Sequence, residues 1–393
     1  MRKIEELYVV WNITHNCNFA CKYCYYNEQM ITNPGFMSLE LAELFIKRVA
    51  ESTFQRAQFV FHGGEPLTLG LKYFEKIIKL QKKYLKEKKC KNVFQTNGSL
   101  INQDLIDFAK ENDFSFGVSL DCLKEVHDSN RVFKNGHGTY DKVYENLLLL
   151  ADNKMPYNIL VVCSDLLAKN KEKVYRFLSS LERLENVDFL MPHNKPLKLI
   201  SQGSYSSIIL KLFDEWFDDS KCRFNIRVLH SIILSLLGLP QSFCIFKESC
   251  ITNNPIISID PYGNIFPCDC SGLELLGNIV EDSIDDLIYQ NPIREKLGYQ
   301  ELKRIEACRF CKWFRYCHGG CLANQNEVTK ENDFCHDLKD IFHYIQTKLM
   351  DRSILNNEGV LNDCNIDLIK NNVLRNDINR LNSMITNINI NTK

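Results

Sequence analysis

The chain has 393 residues, with 48 Lys and Arg against 49 Asp and Glu and a formal net charge of −1. Charges that nearly cancel, with no long Lys/Arg block, leave no electrostatic footprint for nucleic acid. The opening stretch from Met1 to Thr14 has acidic residues and no cleavable apolar core, and no apolar run reaches membrane-spanning length, so a soluble cytoplasmic protein is expected. Seventeen cysteines without an export signal argue against a disulfide framework and for metal ligation.

In chain order, β-rich apolar runs alternate with helical patterns over the first two hundred residues, the signature of repeated βα units on a parallel sheet. The predicted strands are Leu7 to Thr14, Gln58 to His62, Asn92 to Gln95, Ser115 to Leu120, Tyr157 to Cys163 and Val187 to Met191. Helices are expected to begin near Ser38, Lys72, Asn102, Thr139 and Lys171, with Ser38 and Asn102 as N-caps followed by Glu40 and Asp104 in the first turns. Six such units predict an α/β fold built on a partial (β/α)6 barrel related to the eight-fold TIM barrel, with ligands gathered at the carboxyl ends of the strands. The expected divisions are residues 1–204 for the barrel, 205–343 for a small cysteine-rich domain and 344–393 for a tail. In the tail, Leu374, Ile378, Leu381, Ile385 and Ile388 form one helical stripe, read as a frayed or loosely docked terminal helix.

Cys17, Cys21 and Cys24 follow the first strand with the spacing CxxxCxxC. Three close thiolates can hold three corners of a four-iron cluster and leave one iron open to a small molecule. A structural zinc site would want a fourth protein ligand. With Tyr23 before the last cysteine, this motif resembles the radical SAM superfamily, whose cluster cleaves S-adenosylmethionine (SAM). The resemblance continues in His62 to Pro66 (HGGEP), Gln95 to Gly98 (QTNG) and Val118 to Asp121 (VSLD), each at a successive strand end. It implies SAM contacts from Tyr23, Gly63, Gly64, Glu65, Asn97, Ser119 and Arg131, the last as a guanidinium suited to the methionine carboxylate.

A second cysteine field runs from Cys244 to Cys335. It resembles the SPASM domain, and the resemblance implies two auxiliary [4Fe-4S] clusters. One would be held by Cys244, Cys250, Cys268 and Cys321, the other by Cys308, Cys311, Cys317 and Cys335, giving three clusters in all. Two zinc sites would satisfy the same ligand count. Cys90, Cys122, Cys163, Cys222, Cys270 and Cys364 are left over, most of them ordinary small side chains. Cys270 stands out as a competing ligand or a substrate contact. Asp269 matches the proposed catalytic base of the anaerobic sulfatase-maturating enzymes, and equally suits a turn.

The likeness to those enzymes spans nearly the whole chain, but it departs at His62, where they usually carry Gln, and at Leu190 to Lys195. These departures favour, as the first expectation, a maturase that modifies a ribosomal precursor peptide through a 5'-deoxyadenosyl radical, forming a crosslink, thioether or related oxidation. Oxidation of a sulfatase Cys or Ser to formylglycine is the alternative. A zinc-filled adaptor is the reading from another class, and a tRNA-modifying enzyme is disfavoured by the balanced charge. The expected partners are a peptide or protein substrate and an electron donor such as flavodoxin or ferredoxin. Because the first strand starts close to Met1, leader recognition is expected to use the SPASM region, the tail or a separate leader-binding protein.

Overall fold

The computed structural model describes residues 6–26, 32–193, 199–241, 243–247, 255–270, 274–356 and 359. The expected tail stripe, Cys250, Cys364 and the Asn194 and Lys195 end of the divergent segment lie outside them.

All six predicted strands form: β1 (Glu6–Thr14), β2 (Arg56–Gly63), β3 (Lys89–Thr96), β4 (Phe114–Ser119), β5 (Tyr157–Val162) and β6 (Leu184–Leu190). They pair in parallel in that order. β1 is buried along nearly all its length, as a parallel strand covered on both faces must be. The helices between them are α1 (Leu39–Glu51), α2 (Leu71–Tyr84), α3 (Gln103–Glu111), α4 (Lys124–Asn130), α5 (Tyr140–Asp152), α6 (Asp165–Lys169) and α7 (Lys171–Ser180). Both expected caps are made: the Ser38 hydroxyl accepts from Leu41 N and the Asn102 side chain from Leu105 N. An aromatic cluster fills the space between sheet and helices. Trp11 stacks on Phe61 at 5.2 Å, and Phe94 stacks on Phe114 at 4.4 Å. Fully buried rings of this kind are worth roughly 1.5–3 kcal/mol each.

The sheet does not stop at six strands. A two-residue β7 (Asn225–Ile226) pairs with β6, while β8 (Ile256–Ile259) lies parallel to β1 with Tyr8 opposite Ile256 and Trp11 opposite Ile259. β9 (Asn264–Phe266) and β10 (Gly277–Asn278) continue antiparallel from β8, so ten strands form one sheet in the order β10-β9-β8-β1-β2-β3-β4-β5-β6-β7. The cysteine-rich region is therefore stitched onto the barrel's first strand by backbone hydrogen bonds. Its helices are α8 (Ser204–Asp218), α9 (Arg227–Leu236), α10 (Ile284–Tyr289), α11 (Pro292–Cys308), α12 (Phe314–Cys317) and α13 (Cys335–Asp351). α13 runs unbroken through the boundary expected between residues 343 and 344. Its buried face, with Leu338, Ile341, Phe342, Ile345 and Leu349, belongs to the core on both sides of that point.

Candidate active site and metal centres

The chemistry gathers where the parallel strands end. Cys17, Cys21 and Cys24 lie in the loop leaving β1, all partly or largely shielded from solvent. That loop is held on two sides. Ala20 N donates to Val132 O at 2.8 Å and Lys22 N to Asn130 O at 2.9 Å, tying it to the end of α4 and the residues that follow. On the other side, Gly64 N donates to Thr14 O and Glu65 N to Asn16 O, both at 2.8 Å. The two glycines are required by this approach. A Cβ on Gly63, whose φ is +112°, would stand 2.3 Å from Thr14 O, and one on Gly64 2.2 Å from Asn16 O.

Glu65 does not face outward. Its fully buried carboxylate accepts from Leu67 N at 3.0 Å, Thr96 Oγ1 at 2.8 Å and Asn97 N at 2.7 Å, which locks the loop after β2 to the loop after β3. Burial raises its pKa to about 7 in spite of these donors. Asn97 in turn donates to Asn18 Oδ1 at 2.8 Å and points the same amide at Cys17 Sγ, 3.9 Å away. Ser119 closes β4 and receives a long contact from Gln95 at 3.5 Å.

Tyr23 and Arg131 meet on the last residue of the VSLD segment. Asp121, 1% exposed, accepts from Arg131 Nε at 3.0 Å and Nη2 at 3.3 Å, from the Tyr23 hydroxyl at 2.5 Å and from Val162 N at 2.9 Å. The guanidinium also lies 5.2 Å from the Tyr23 ring centre. The guanidinium is thus held by Asp121 and Tyr23, and it also meets the Cys21 thiol.

Asp269 is carried to the barrel mouth by the β8–β9 hairpin. Its Oδ1 accepts from Asn12 Nδ2 at 2.8 Å, from the Tyr26 hydroxyl and from Ser258 Oγ at 3.3 Å. Its Oδ2 accepts from the Tyr25 hydroxyl at 2.7 Å and lies 3.8 Å from His62 Nδ1. Burial, then the Asp269 charge, holds both tyrosines well above the ordinary phenol range, so they remain donors. His62, singled out as a departure, therefore faces the candidate base directly. Asn12, Tyr25, Tyr26 and Ser258 were not picked out from the sequence. Only the position of Tyr25 and Tyr26, immediately after Cys24, offered a signal.

The cysteine loop fits an iron-sulfur cluster with one open iron. Three thiols leave one strand end together, and burial pushes Cys17 up to about 12 and Cys21 up to about 11, so loading the site must displace their protons. Cys308, Cys311, Cys317 and Cys335 also fit: all four line one cavity walled by Trp313, Phe314 and Phe342. Backbone bonds such as Cys311 N to Cys308 O at 2.9 Å fix their spacing. The remaining group is different. Cys244 lies by Cys268 and Cys321, but Cys268 Sγ is only 3.8 Å from Cys270 Sγ, and Cys270 also meets Cys321 and His193. The hydrogen bond from Cys270 lowers the Cys321 thiol to about 6. Among the described residues no helix is long and apolar enough to cross a membrane.

Comparison with known proteins agrees with this geometry. Residues 11–178 match the radical SAM superfamily and residues 250–312 the iron-sulfur cluster-binding SPASM domain. The cysteine-type anaerobic sulfatase-maturating enzyme of Clostridium novyi is 32% identical over 355 residues, covering 85% of this chain and 93% of its own length. The serine-type enzyme of Bacteroides thetaiotaomicron is 26% identical, covering 88% and 91%. Among solved structures, native anSMEcpe with bound AdoMet and Kp18Cys peptide superposes with a TM-score of 0.78 at 30% identity, covering 88% of this chain and 98% of that one. Streptococcus suis SuiB, at 14% identity and a TM-score of 0.59, shares the fold. The chain belongs to the radical SAM enzymes that carry a SPASM domain, in the family of the anaerobic sulfatase-maturating enzymes.

Proposed function

We propose that the protein oxidises a cysteine or serine side chain of a sulfatase to formylglycine. This reverses the order expected from His62 and the Leu190 to Lys195 segment, which had put a ribosomal precursor peptide first. The likeness to sulfatase-maturating enzymes extends over most of both chains, whereas the likeness to SuiB is one of fold. The observation that carries the reading is the Asp269 carboxylate at the barrel mouth, ringed by Asn12, Tyr25, Tyr26 and Ser258 and facing His62.

Cys17, Cys21 and Cys24 would hold the SAM cluster. Gly63, Gly64, Asn97 and Ser119 would border the SAM pocket. Glu65, Tyr23 and Arg131 would act mainly by bracing its loops. When bound, SAM on its cluster supplies the radical that takes a hydrogen atom from the substrate, and an auxiliary cluster supplies the sink for the electron. Going from Cys or Ser to the sulfur or oxygen aldehyde level removes one hydrogen atom, one proton and one electron, and a thioaldehyde is then hydrolysed with release of sulfide. Asp269 receives the proton. Its surrounding donors aim the carboxylate, which a general base requires. A flavodoxin or ferredoxin would reduce the first cluster.

The test is anaerobic incubation of reconstituted protein with SAM, reductant and synthetic peptides spanning the modified residue of a sulfatase, in Cys and Ser forms. The expected result is 5'-deoxyadenosine together with formylglycine by mass spectrometry. Formation of 5'-deoxyadenosine with no change in either peptide would defeat the substrate assignment. Absence of 5'-deoxyadenosine would defeat the radical mechanism.

A further inference from the structure

We propose that the outer wall of the pocket formed by Cys308, Cys311, Cys317 and Cys335 is the docking surface for an acidic one-electron carrier protein, of the flavodoxin or ferredoxin class, which takes the electron released when the substrate is oxidised. The inference rests on the one-electron balance given above and adds the place where that electron leaves. The substrate gives up one electron, and an oxidised carrier is reduced by one.

The helix that leads into this pocket is built inside out. α11 buries Arg294, Glu301 and Arg304 beside Leu297, with Arg294 donating to Ile256 O and Arg304 to Gly320 O. Its outer face instead carries Tyr299, Leu302 and Ile305, with Leu302 58% exposed. A surface helix ordinarily has the opposite polarity. Residues three and four apart on a helix are neighbours, so this stripe runs from Tyr299 through Leu302 and Ile305 to Arg309, which keeps helical dihedrals as the C-cap. The Arg309 guanidinium lies 4.6 Å from the centre of the Phe310 ring. Phe310 is 89% exposed and stands between Cys308 and Cys311 in the chain, so a partner covering that ring approaches both thiols. A single exposed ring needs no explanation, but a ring continuous with an apolar helix face marks an interaction site.

The charge around the ring is one-sided. From Ala307 to Asn326 the chain holds Arg309, Lys312 and Arg315 and no Asp or Glu. Lys312 Nζ lies 4.6 Å from the Trp313 ring centre, and the Arg315 guanidinium stands at 4.6 Å from that of Tyr316. Each cation is thus parked over an aromatic ring, and among the described residues none of the three pairs with a carboxylate. Lys339 adds a fourth, lining the pocket and meeting the Cys335 thiol. Glu331, which also lines the pocket, and Glu306 on the outer face of α11 offset part of this charge. In a chain whose charges nearly cancel overall, such a cluster selects an acidic partner. Cys311, Cys317 and Cys335 are only partly buried, which allows the close approach that electron transfer between proteins needs. Weak electron-transfer complexes bury less than about 1,200 Å² in total, an area that one helix face and one protruding ring can supply.

The experiment is anaerobic stopped-flow mixing of the reduced, cluster-loaded full chain with an oxidised acidic flavodoxin, followed at the flavin semiquinone absorbance. The second-order rate should fall steeply with salt, and the double variant Arg309→Glu, Lys312→Glu should lower it at least ~10-fold at low salt. Phe310→Ala, which keeps every charge, should lower it as well. Iron per chain, oxidation by a small neutral quinone and 5'-deoxyadenosine formation with dithionite should be unchanged in all of them. Should the charge reversal lose iron, Leu302→Glu on the outer face of α11 serves instead and should slow the carrier alone. No substrate is present in the rate assay, so failure of the formylglycine reading leaves these rates readable. A flavodoxin rate unaffected by these substitutions, or insensitive to salt, would overturn the assignment. So would an intact carrier rate together with weaker binding of a folded sulfatase or loss of a chain dimer, which would give the face to the substrate protein or to a second copy.

Discussion

The Asp269 carboxylate accepts a 2.8 Å hydrogen bond from the Asn12 amide, joining the turn after β9 to the last residues of β1 across 257 positions of sequence. This contact brings an acid from the cysteine-rich region to the mouth of the barrel. The pairing of β8 with β1 makes it possible by fixing the register between the two regions over four residue pairs.

Replacing Asp269 with Asn should separate radical formation from product formation. The amide keeps the shape of the carboxylate but cannot take a proton, so formylglycine production should fall by about 10²- to 10⁴-fold. SAM cleavage should persist, measured as 5'-deoxyadenosine released without product. Tyr26→Phe, which removes one donor to the same carboxylate, should have a smaller effect on the same ratio.

Asp121→Asn should be costly to stability. It leaves Arg131, 7% exposed, without its buried counter-charge and weakens the bond to Tyr23. Breaking one partner of such a pair costs about 3–5 kcal/mol, which denaturant titration would read as a lower midpoint at unchanged slope. An unchanged midpoint would show that Asp121 does not hold this corner together.

Glu65 gives a pH signature of defined sign. Burial raises its folded-state pKa from 4.5 to about 7, so between these values the folded chain keeps a proton that the unfolded chain has lost. Stability should therefore fall as pH rises through this window and level off above it, with a contribution on the order of 3 kcal/mol. Glu65→Gln removes the titrating group. Unfolding curves of the two proteins from pH 5 to 8 should differ in slope, with the variant the flatter.

Gly64→Ala tests the contact between the loop after β2 and the cysteine loop. Its Cβ would meet Asn16 O at 2.2 Å, and the atoms it meets are all backbone. The cysteine loop must move, so iron at Cys17, Cys21 and Cys24 should be lost first, while iron at Cys308, Cys311, Cys317 and Cys335 is retained. Iron per chain and the spectrum of the reduced protein, with and without SAM, would report the difference.

The strands of the barrel were legible because alternation of apolar runs with capped helices is local information. Ser38 and Asn102 could be read as caps for the same reason. What Glu65 does was not legible. A motif shows that a carboxylate is present, but the direction of its side chain follows from donors on the next strand, Thr96 and Asn97. The course of the chain around residues 343 and 344 was not legible on similar grounds. α13 carries both sides of the expected boundary into one core, and burial of a shared face is set by neighbours distant in sequence.

The sequence by itself determined the α/β class, the six barrel strands and the three cysteines that follow the first of them, since ligand spacing and periodicity are properties of neighbouring residues. Tertiary structure alone decided that Asp269 faces Asn12 and His62, that Arg131 pairs with Asp121, and that His193 turns toward Cys270 and Cys321. Each of these depends on where separate strand ends and loops come together. That is fixed by sheet register and by the satisfaction of buried polar groups, neither of which is a local quantity.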